Sequence, residues 1–336
     1  MASPNKNTHR LSLVGGDANP QLAKDIATEL ELKLDPTTLT TFSNGEEYGV
    51  YEDSVRGADV FVIQTHASLK GWSINDSIMQ QRLLLDAARR ASAHEVIAVS
   101  PYLGYSRQDR KSRPREPISA AVTLKDLVTA GADRVMTVDM HSQQIQAVID
   151  KPFDHLTAQG VLVDWLIKYI DSNRQSKEEV VIVSPDSGRA KLVEDFAEDV
   201  GVDWATVLKK RSKITRKPEA VGIMGDVVGR HCVILDDMID TAGTLAAAAE
   251  MLKNERASSV MAMATHGILS GNAIENINNS PIELVVVTDT LPTDVHKENL
   301  EDKLEIASMA PKIAEAIREV HEDGSVSEVF KGKNAS

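Results

Sequence analysis

Cysteine is nearly absent from this chain: Cys232 is the single cysteine among 336 residues, so no internal disulfide can form. A disulfide-stapled secreted fold is therefore excluded. No run of about 18 apolar residues occurs, as a membrane-spanning helix would need. The polar stretch 1–10 lacks the apolar centre of a signal peptide. These absences predict a reducing, cytoplasmic location, with neither secretion nor membrane binding.

Positive charge is also in deficit, with 37 basic residues against 50 acidic ones and a formal net charge of -13. A nucleic-acid binder draws its affinity from a basic surface, so the composition predicts no nucleic-acid partner. Basic residues nevertheless concentrate in two short stretches, 107–115 and 209–217. Such clusters favour a phosphate-bearing small molecule, and a solvated charged loop is the alternative.

The remaining composition is that of a folded protein, with 42% hydrophobic and 26% charged residues. Short buried-strand patterns alternate with amphipathic stretches of helical spacing, which predicts an α/β fold with parallel sheets flanked by helices. The length suits two domains. The alternation divides near residues 155–160, which predicts domains at 10–157 and 158–330, with a long polar loop at 209–225.

The sharpest motif is the stretch 233–245, where an apolar strand ends in Asp236 and Asp237. A turn of Thr241, Ala242, Gly243 and Thr244 follows and opens a helix. Backbone N–H groups at such a helix start suit a phosphate, whereas the carboxylates suit sugar hydroxyls or a magnesium ion. The alternative is an ordinary capped helix N-terminus.

This motif resembles the phosphoribosyl-diphosphate loop of the type I phosphoribosyltransferase fold. Further segments narrow the resemblance to the ribose-phosphate diphosphokinase family, and they follow that family's order along nearly the whole chain: 42–46, 54–57, 101–111, 117–120, 138–141, 184–189 and 225–227. The resemblance implies two tandem phosphoribosyltransferase-type I-like domains. It also implies transfer of the diphosphoryl group of ATP to ribose 5-phosphate, which gives phosphoribosyl diphosphate and AMP for nucleotide biosynthesis.

For ATP, the resemblance implies two binding stretches in the first domain. Their residues are Phe42, Asn44, Gly45, Glu46, Arg107 and Gln108. In the family the first stretch reaches a neighbouring subunit's site. A homo-oligomer is therefore expected, built from dimers and with a hexamer favoured.

For ribose 5-phosphate, the resemblance implies a site in the second domain. Its residues are Arg211, Asp236, Asp240, Thr241, Ala242, Gly243 and Thr244. Ala242 stands where the family often has glycine, and it is expected to be tolerated only with a negative φ. Arg189 is a further candidate for phosphate contact.

The resemblance implies Lys209 and Arg211 as catalytic residues on a mobile loop. Counting back from Gly225 instead gives Lys210, so that alternative stays open. His141 and Asp186 are implied around the Mg²⁺ of MgATP, although imidazole is an unusual magnesium ligand. Two rival functions remain: a phosphoribosyltransferase without an ATP site, and a catalytically weak regulatory paralogue.

Overall fold

The computed structural model describes residues 8–68, 71–211, 218–292, 296, 299–330 and 332. The strands are β1 (Leu11–Gly15), β2 (Thr37–Thr41), β3 (Glu47–Tyr51), β4 (Asp59–Ile63), β5 (Glu95–Ser100), β6 (Arg134–Val138), β7 (Phe153–Leu156), β8 (Val180–Ser184), β9 (Asp203–Arg211), β10 (Pro218–Met224), β11 (His231–Ile239), β12 (Ser259–Gly267), β13 (Leu284–Thr288) and β14 (Leu304–Ala307).

The helices flank these strands and are mostly amphipathic. They are α1 (Pro20–Glu29), α2 (Ile74–Arg90), α3 (Ser119–Thr129), α4 (Gln159–Ser172), α5 (Ala190–Val200), α6 (Gly243–Asn254), α7 (Ala273–Asn278), α8 (Ala310–His321) and α9 (Val326–Val329). The chain forms two compact units. The first comprises the described residues of Met1–Thr157, Thr290–Pro292 and Met309–Ser336, and the second those of Ala158–Asp289 and Thr293–Ser308.

The first unit is built on a five-stranded parallel sheet in the order β1-β4-β5-β6-β7. Every residue of β4 is buried, as expected for a central strand covered on both faces. A separate antiparallel hairpin of β2 and β3 contacts α2. The predicted parallel α/β class is confirmed here, and the hairpin is an element that the apolar pattern did not predict.

The second unit has a seven-stranded sheet in the order β10-β9-β8-β11-β12-β13-β14. All its strand pairs are parallel except β9 with β10. β8 and β11 are neighbours, so the segments after their carboxyl ends open at the same edge of the sheet. Ligands of open α/β sheets bind at that edge.

The carboxyl-terminal segment packs with the first unit, whereas the predicted second domain extended to residue 330. Helix α8 contacts α1, and Arg318 Nη2 donates to the backbone oxygen of Glu29 at 3.4 Å. His321 Nδ1 lies 3.0 Å from Asp59 Oδ2 at the start of β4. The sequence alone could not show which core α8 covers.

The expected loop at 209–225 is wrong in its described part, because the strand continues to Arg211 and β10 begins at Pro218. The two strands form an antiparallel hairpin that pairs Met224 with Thr206. Residues 212–217 lie outside the described residues. The charged residues at 209–211 concealed the end of β9, and an edge hairpin does not need two apolar faces.

Gly225 closes the base of this hairpin, and we expect Gly225→Ala to lower the free energy of unfolding by about 2–4 kcal/mol. Its φ is +113°, and an added Cβ would lie 2.7 Å from Ala205 Cβ and 2.9 Å from Ala205 Cα. Backbone atoms cannot move aside cheaply. Denaturant unfolding of both proteins measures the loss. Gly222→Ala is the control, since its Cβ meets nothing within 4 Å; equal stability of the two variants would contradict the prediction.

Candidate functional site

An acidic pair stands near the carboxyl end of β11, as the sequence predicted. Asp236 is about one quarter exposed, and Asp237 is buried. The backbone N–H of Asp237 donates to Asp236 Oδ1 at 2.9 Å. Two adjacent carboxylates in a largely dry place repel each other, so they need a cation nearby.

Arg189 supplies that cation. It donates from Nη2 to Asp237 Oδ2, and its Nε lies 3.5 Å from Asp236 Oδ1. Burial, followed by the charge of Asp237, raises the pKa of Asp236 well above its usual range, and Arg189 opposes that rise. The sequence suggested a phosphate contact for Arg189 and missed this pairing. Only the pairing of β8 with β11 in the sheet brings Arg189 close to the acidic pair, and the sequence does not reveal that pairing.

The turn after β11 is held from outside by the segment around α7. The backbone N–H of Ser270 donates to the backbone oxygen of Asp240 at 3.0 Å. The Ser270 hydroxyl donates to Asp240 Oδ1 at 2.5 Å. Asn276 Nδ2 donates to the backbone oxygen of Thr241 at 2.8 Å. Helix α6 begins directly afterwards at Gly243, with no side chain capping its first turn.

Thr241, Gly243 and Thr244 are all exposed at this helix start. The first N–H groups of a helix have no partner within the helix, and the helix dipole favours negative charge there. The turn can therefore accept a phosphate, as the sequence motif indicated.

Ala242 corrects one sequence expectation, because its φ is +57° rather than negative. A left-handed alanine costs about 1–2 kcal/mol. Its methyl group is buried, and its backbone oxygen accepts from Ala246 at 2.9 Å inside α6. Packing and the helix start thus hold the strained conformation in place.

Asp186 follows the carboxyl end of β8 and caps the short 3₁₀ turn Ser187–Arg189. Its Oδ1 accepts from the backbone N–H of Gly188 at 3.0 Å. The Ser184 hydroxyl bonds to the backbone oxygen of Asp186 and fixes the bend. The Asp186 carboxylate therefore points into the glycine-bearing turn. The same turn places Arg189 beside the acidic pair.

In the first unit, three predicted ATP-site or metal-site residues line one cavity of about 420 Å³: Arg107, Gln108 and His141. The other lining residues come from the same loop: Asp109, Arg110, Ser112, Glu116 and Pro117. Glu116 Oε2 accepts the backbone N–H groups of Ser112 and Arg113, each at 2.8 Å, and so folds the loop around the space.

His141 reaches this cavity from the segment after β6. Asp139 has a φ of +33°, which bends the chain sharply at the strand end. The next residue, Met140, donates its backbone N–H to His155 Nε2 at 3.0 Å. The bend and this hydrogen bond fix the backbone just before the imidazole.

The stretch 42–46 forms the turn of the β2–β3 hairpin. Phe42 and Glu46 bond through their backbones at 2.8 Å, and Gly45 has a φ of +88°. The Phe42 ring is half exposed and lies 5.9 Å from the ring of Tyr48. Among the described residues, none from this turn lines the 420 Å³ cavity.

Lys209 and Arg211 lie in the last residues of β9, so the described backbone there is a strand instead of the expected loop. Which lysine acts stays a prediction. Within the described ranges, no three His, Cys, Asp or Glu side chains stand close enough to form a metal site alone.

Two family models match this chain over most of its length. One describes the N-terminal domain of ribose phosphate pyrophosphokinase and matches residues 11–131, and the other, a phosphoribosyl synthetase-associated domain, matches residues 197–331. The chain belongs to the ribose-phosphate pyrophosphokinase family. Pyrophosphokinase and diphosphokinase are synonyms, so this is the family that the sequence motifs resemble.

Relatives of this family cover the chain almost end to end. A ribose-phosphate pyrophosphokinase of Bifidobacterium longum is 47% identical over 97% of this chain and 93% of its own length. That of Aquifex aeolicus is 43% identical, over 95% and 99% respectively. The crystal structure of phosphoribosylpyrophosphate synthetase from Mycobacterium smegmatis matches with a TM-score of 0.84 and 39% identity, over 94% of this chain and all of that one.

The family's fold agrees with the two largely parallel sheets described above, so the expected fold class is confirmed. In the part of the chain that is described, no helix has both the length and the apolar composition to cross a bilayer.

Proposed function

We propose that this chain transfers the diphosphoryl group of ATP to the C1 hydroxyl of ribose 5-phosphate. The hydroxyl oxygen bonds to the β-phosphorus of ATP, the bond from that phosphorus to the α–β bridging oxygen breaks, AMP leaves, and the hydroxyl proton is released. The observation that carries this proposal is the convergence of Arg107, Gln108 and His141 on one cavity in a member of this family. A phosphoribosyltransferase would need no such nucleotide site.

We assign the ATP phosphates to this cavity. Arg107 offers a planar, permanently charged group for phosphate oxygens or for stacking on the base. Gln108 is held through its Oε1 by the hydroxyl of Ser119 at the start of α3, which leaves its amide N–H groups as the donors to offer. The volume of about 420 Å³ lies within the usual range for small-molecule sites.

We assign ribose 5-phosphate to the carboxyl edge of the second sheet. The 5-phosphate takes the start of α6, from Thr241 to Thr244, and the sugar hydroxyls take Asp236 and Asp240. Support comes from the exposed, uncapped helix start and from the fixed turn. Arg189 offsets part of the negative charge of Asp236 and Asp237, which weakens their repulsion of the substrate phosphate.

Mg²⁺ is the metal that suits these residues. Magnesium is commonly held by one or two carboxylates together with waters and substrate phosphates, so the lack of an all-protein cluster among the described residues fits it. Asp186 offers the carboxylate, and His141 acts on a phosphate or through water. When bound, the ion neutralises charge on the phosphate oxygens.

The turn at 42–46, to which we assign adenine, is the reason for proposing a homo-oligomer. Phe42 is half exposed at the turn of a hairpin, and Gly45 lies where an added Cβ would meet nothing within 4 Å. Such a projecting turn suits a contact with a second copy of the chain. We therefore propose dimers as the building block, with a hexamer favoured.

The test of the proposed function is product analysis of the purified chain with ATP, ribose 5-phosphate and Mg²⁺. We expect AMP and phosphoribosyl diphosphate in equal amounts, measured by ³¹P NMR and nucleotide chromatography. Formation of ADP instead would show γ-phosphoryl transfer and overturn the proposal. A folded chain that forms neither product at any phosphate concentration would favour the regulatory paralogue.

A further inference from the structure

His66 is a fully buried histidine just after β4 in the first unit. Its Nδ1 receives a hydrogen bond of 2.9 Å from the backbone nitrogen of Gly104, and its Nε2 lies 2.8 Å from Gln81 Oε1. A backbone N–H can only donate, so Nδ1 must be the unprotonated acceptor. Nε2 therefore carries the proton and donates it to Gln81.

Gln81 is itself fixed by the sheet. Its Nε2 donates to the backbone oxygens of Val62 on β4 and Val99 on β5, at 3.2 and 3.4 Å. Its Oε1 also accepts from the hydroxyl of Ser100 at 3.0 Å. The amide can keep these partners in only one orientation, so the imidazole of His66 is held by groups anchored on two strands and on α2.

The other side of His66 holds the segment between β5 and the cavity. The His66 backbone N–H donates to the oxygen of Tyr102 at 3.0 Å, and the ring accepts from Gly104. An added Cβ at Gly104 would lie 3.0 Å from His66 Cβ, which shows how closely the two residues pack. Tyr105 then turns with a φ of +63°, and the chain enters the cavity-lining residues at Arg107.

We propose that His66 is a positioning residue for the nucleotide cavity, because it holds Gly104 and so sets where Arg107 and Gln108 stand. The inference rests on the proposed function in one respect, namely that the cavity takes ATP. His66 does not touch the substrate in this assignment. It acts through the backbone three residues before Arg107.

Burial agrees with this arrangement, because it lowers the pKa of His66 to about 4. The ring is therefore neutral near pH 7, and Nδ1 keeps the lone pair that Gly104 needs. Buried backbone N–H groups are almost always paired, so the loss of this acceptor forces the segment to shift towards another partner.

His66→Leu and His66→Gln provide the test, with His94→Gln as the control. Leucine fills most of the volume but accepts no hydrogen bond. Glutamine can accept from Gly104 with its oxygen and donate to Gln81 with its nitrogen. His94 lies in the same unit, half exposed before β5, and is not among the residues that line the cavity.

We expect His66→Leu to raise the KM for ATP about tenfold while the KM for ribose 5-phosphate changes less than twofold. His66→Gln and His94→Gln should stay within about threefold of the unmutated chain for both substrates. ATP titration without ribose 5-phosphate should show the same order of affinities. Thermal unfolding of each variant identifies any that does not fold.

An unchanged ATP affinity in His66→Leu, or an equal rise in both KM values, would overturn the inference. ¹⁵N NMR of the histidine rings covers the case in which that variant fails to fold. The His66 signal is the one that disappears in His66→Gln. If that signal shows the proton on Nδ1, the inference is also overturned. If the unmutated chain binds ATP but forms no AMP, the reaction fails and the binding series still decides the role of His66.

Discussion

Arg189→Ala is expected to lower the free energy of unfolding by about 3 kcal/mol at pH 7, the lower end of the cost of removing one partner of a buried ion pair. Arg189 is about one quarter exposed, which argues for that lower end. Its loss leaves the adjacent carboxylates of Asp236 and Asp237 without the guanidinium that offsets their repulsion. Urea unfolding of the purified chain measures the difference.

The deficit should depend on pH in a definite direction. The pKa of Asp236 is raised in the folded state, so the folded chain binds that proton more tightly than the unfolded chain. The resulting stabilisation is complete below the unfolded pKa and is lost as the pH rises through the folded pKa. Removing Arg189 raises the pKa of Asp236 further, so the variant should lose more stability at pH 8 than at pH 5.

Lys191→Ala is the matched control, because Lys191 lies two residues away in an exposed pair with Asp195. Exposed pairs of this kind contribute little, so that variant should unfold as the unmutated chain does at both pH values. Arg189→Lys retains the charge but loses the contact of one guanidinium with both carboxylates. Its loss of stability should therefore lie between those of Arg189→Ala and Lys191→Ala. A deficit for Arg189→Ala that is constant, or larger at pH 5, would contradict the charge argument.

Much of this arrangement could be predicted from the chain alone, since periodicity identifies the parallel strands and the acidic turn identifies the start of α6. Arg189 could not be paired with Asp237, because 48 residues separate them and only the order β8-β11 brings them together. Ala242 was misjudged because local residue preference favours a negative φ, whereas its buried methyl group and the helix start favour the opposite.

Polar networks escape sequence patterns for a related reason. The sequence predicts only a structural or surface role for His66, and Gln81 is a polar residue of α2. Both are fully buried, and they satisfy each other across 15 residues. A hydrophobicity pattern records whether a side chain prefers water, and it cannot record that a specific partner replaces water.

The largest loss of activity is expected for Lys209→Ala, with kcat reduced about 10²–10³-fold, the effect of removing one donor that stabilises transition-state charge. Diphosphoryl transfer spreads negative charge over phosphate oxygens, and a cation that contacts them only in the transition state changes kcat more than KM. The KM values for both substrates should therefore stay within about threefold, and Arg211→Ala should behave similarly.

Lys210→Ala is the matched control, since it removes the same charge one position along β9. Steady-state kinetics of the three variants decides between the two registers. A loss in Lys210→Ala that equals or exceeds the loss in Lys209→Ala would shift the catalytic pair by one residue.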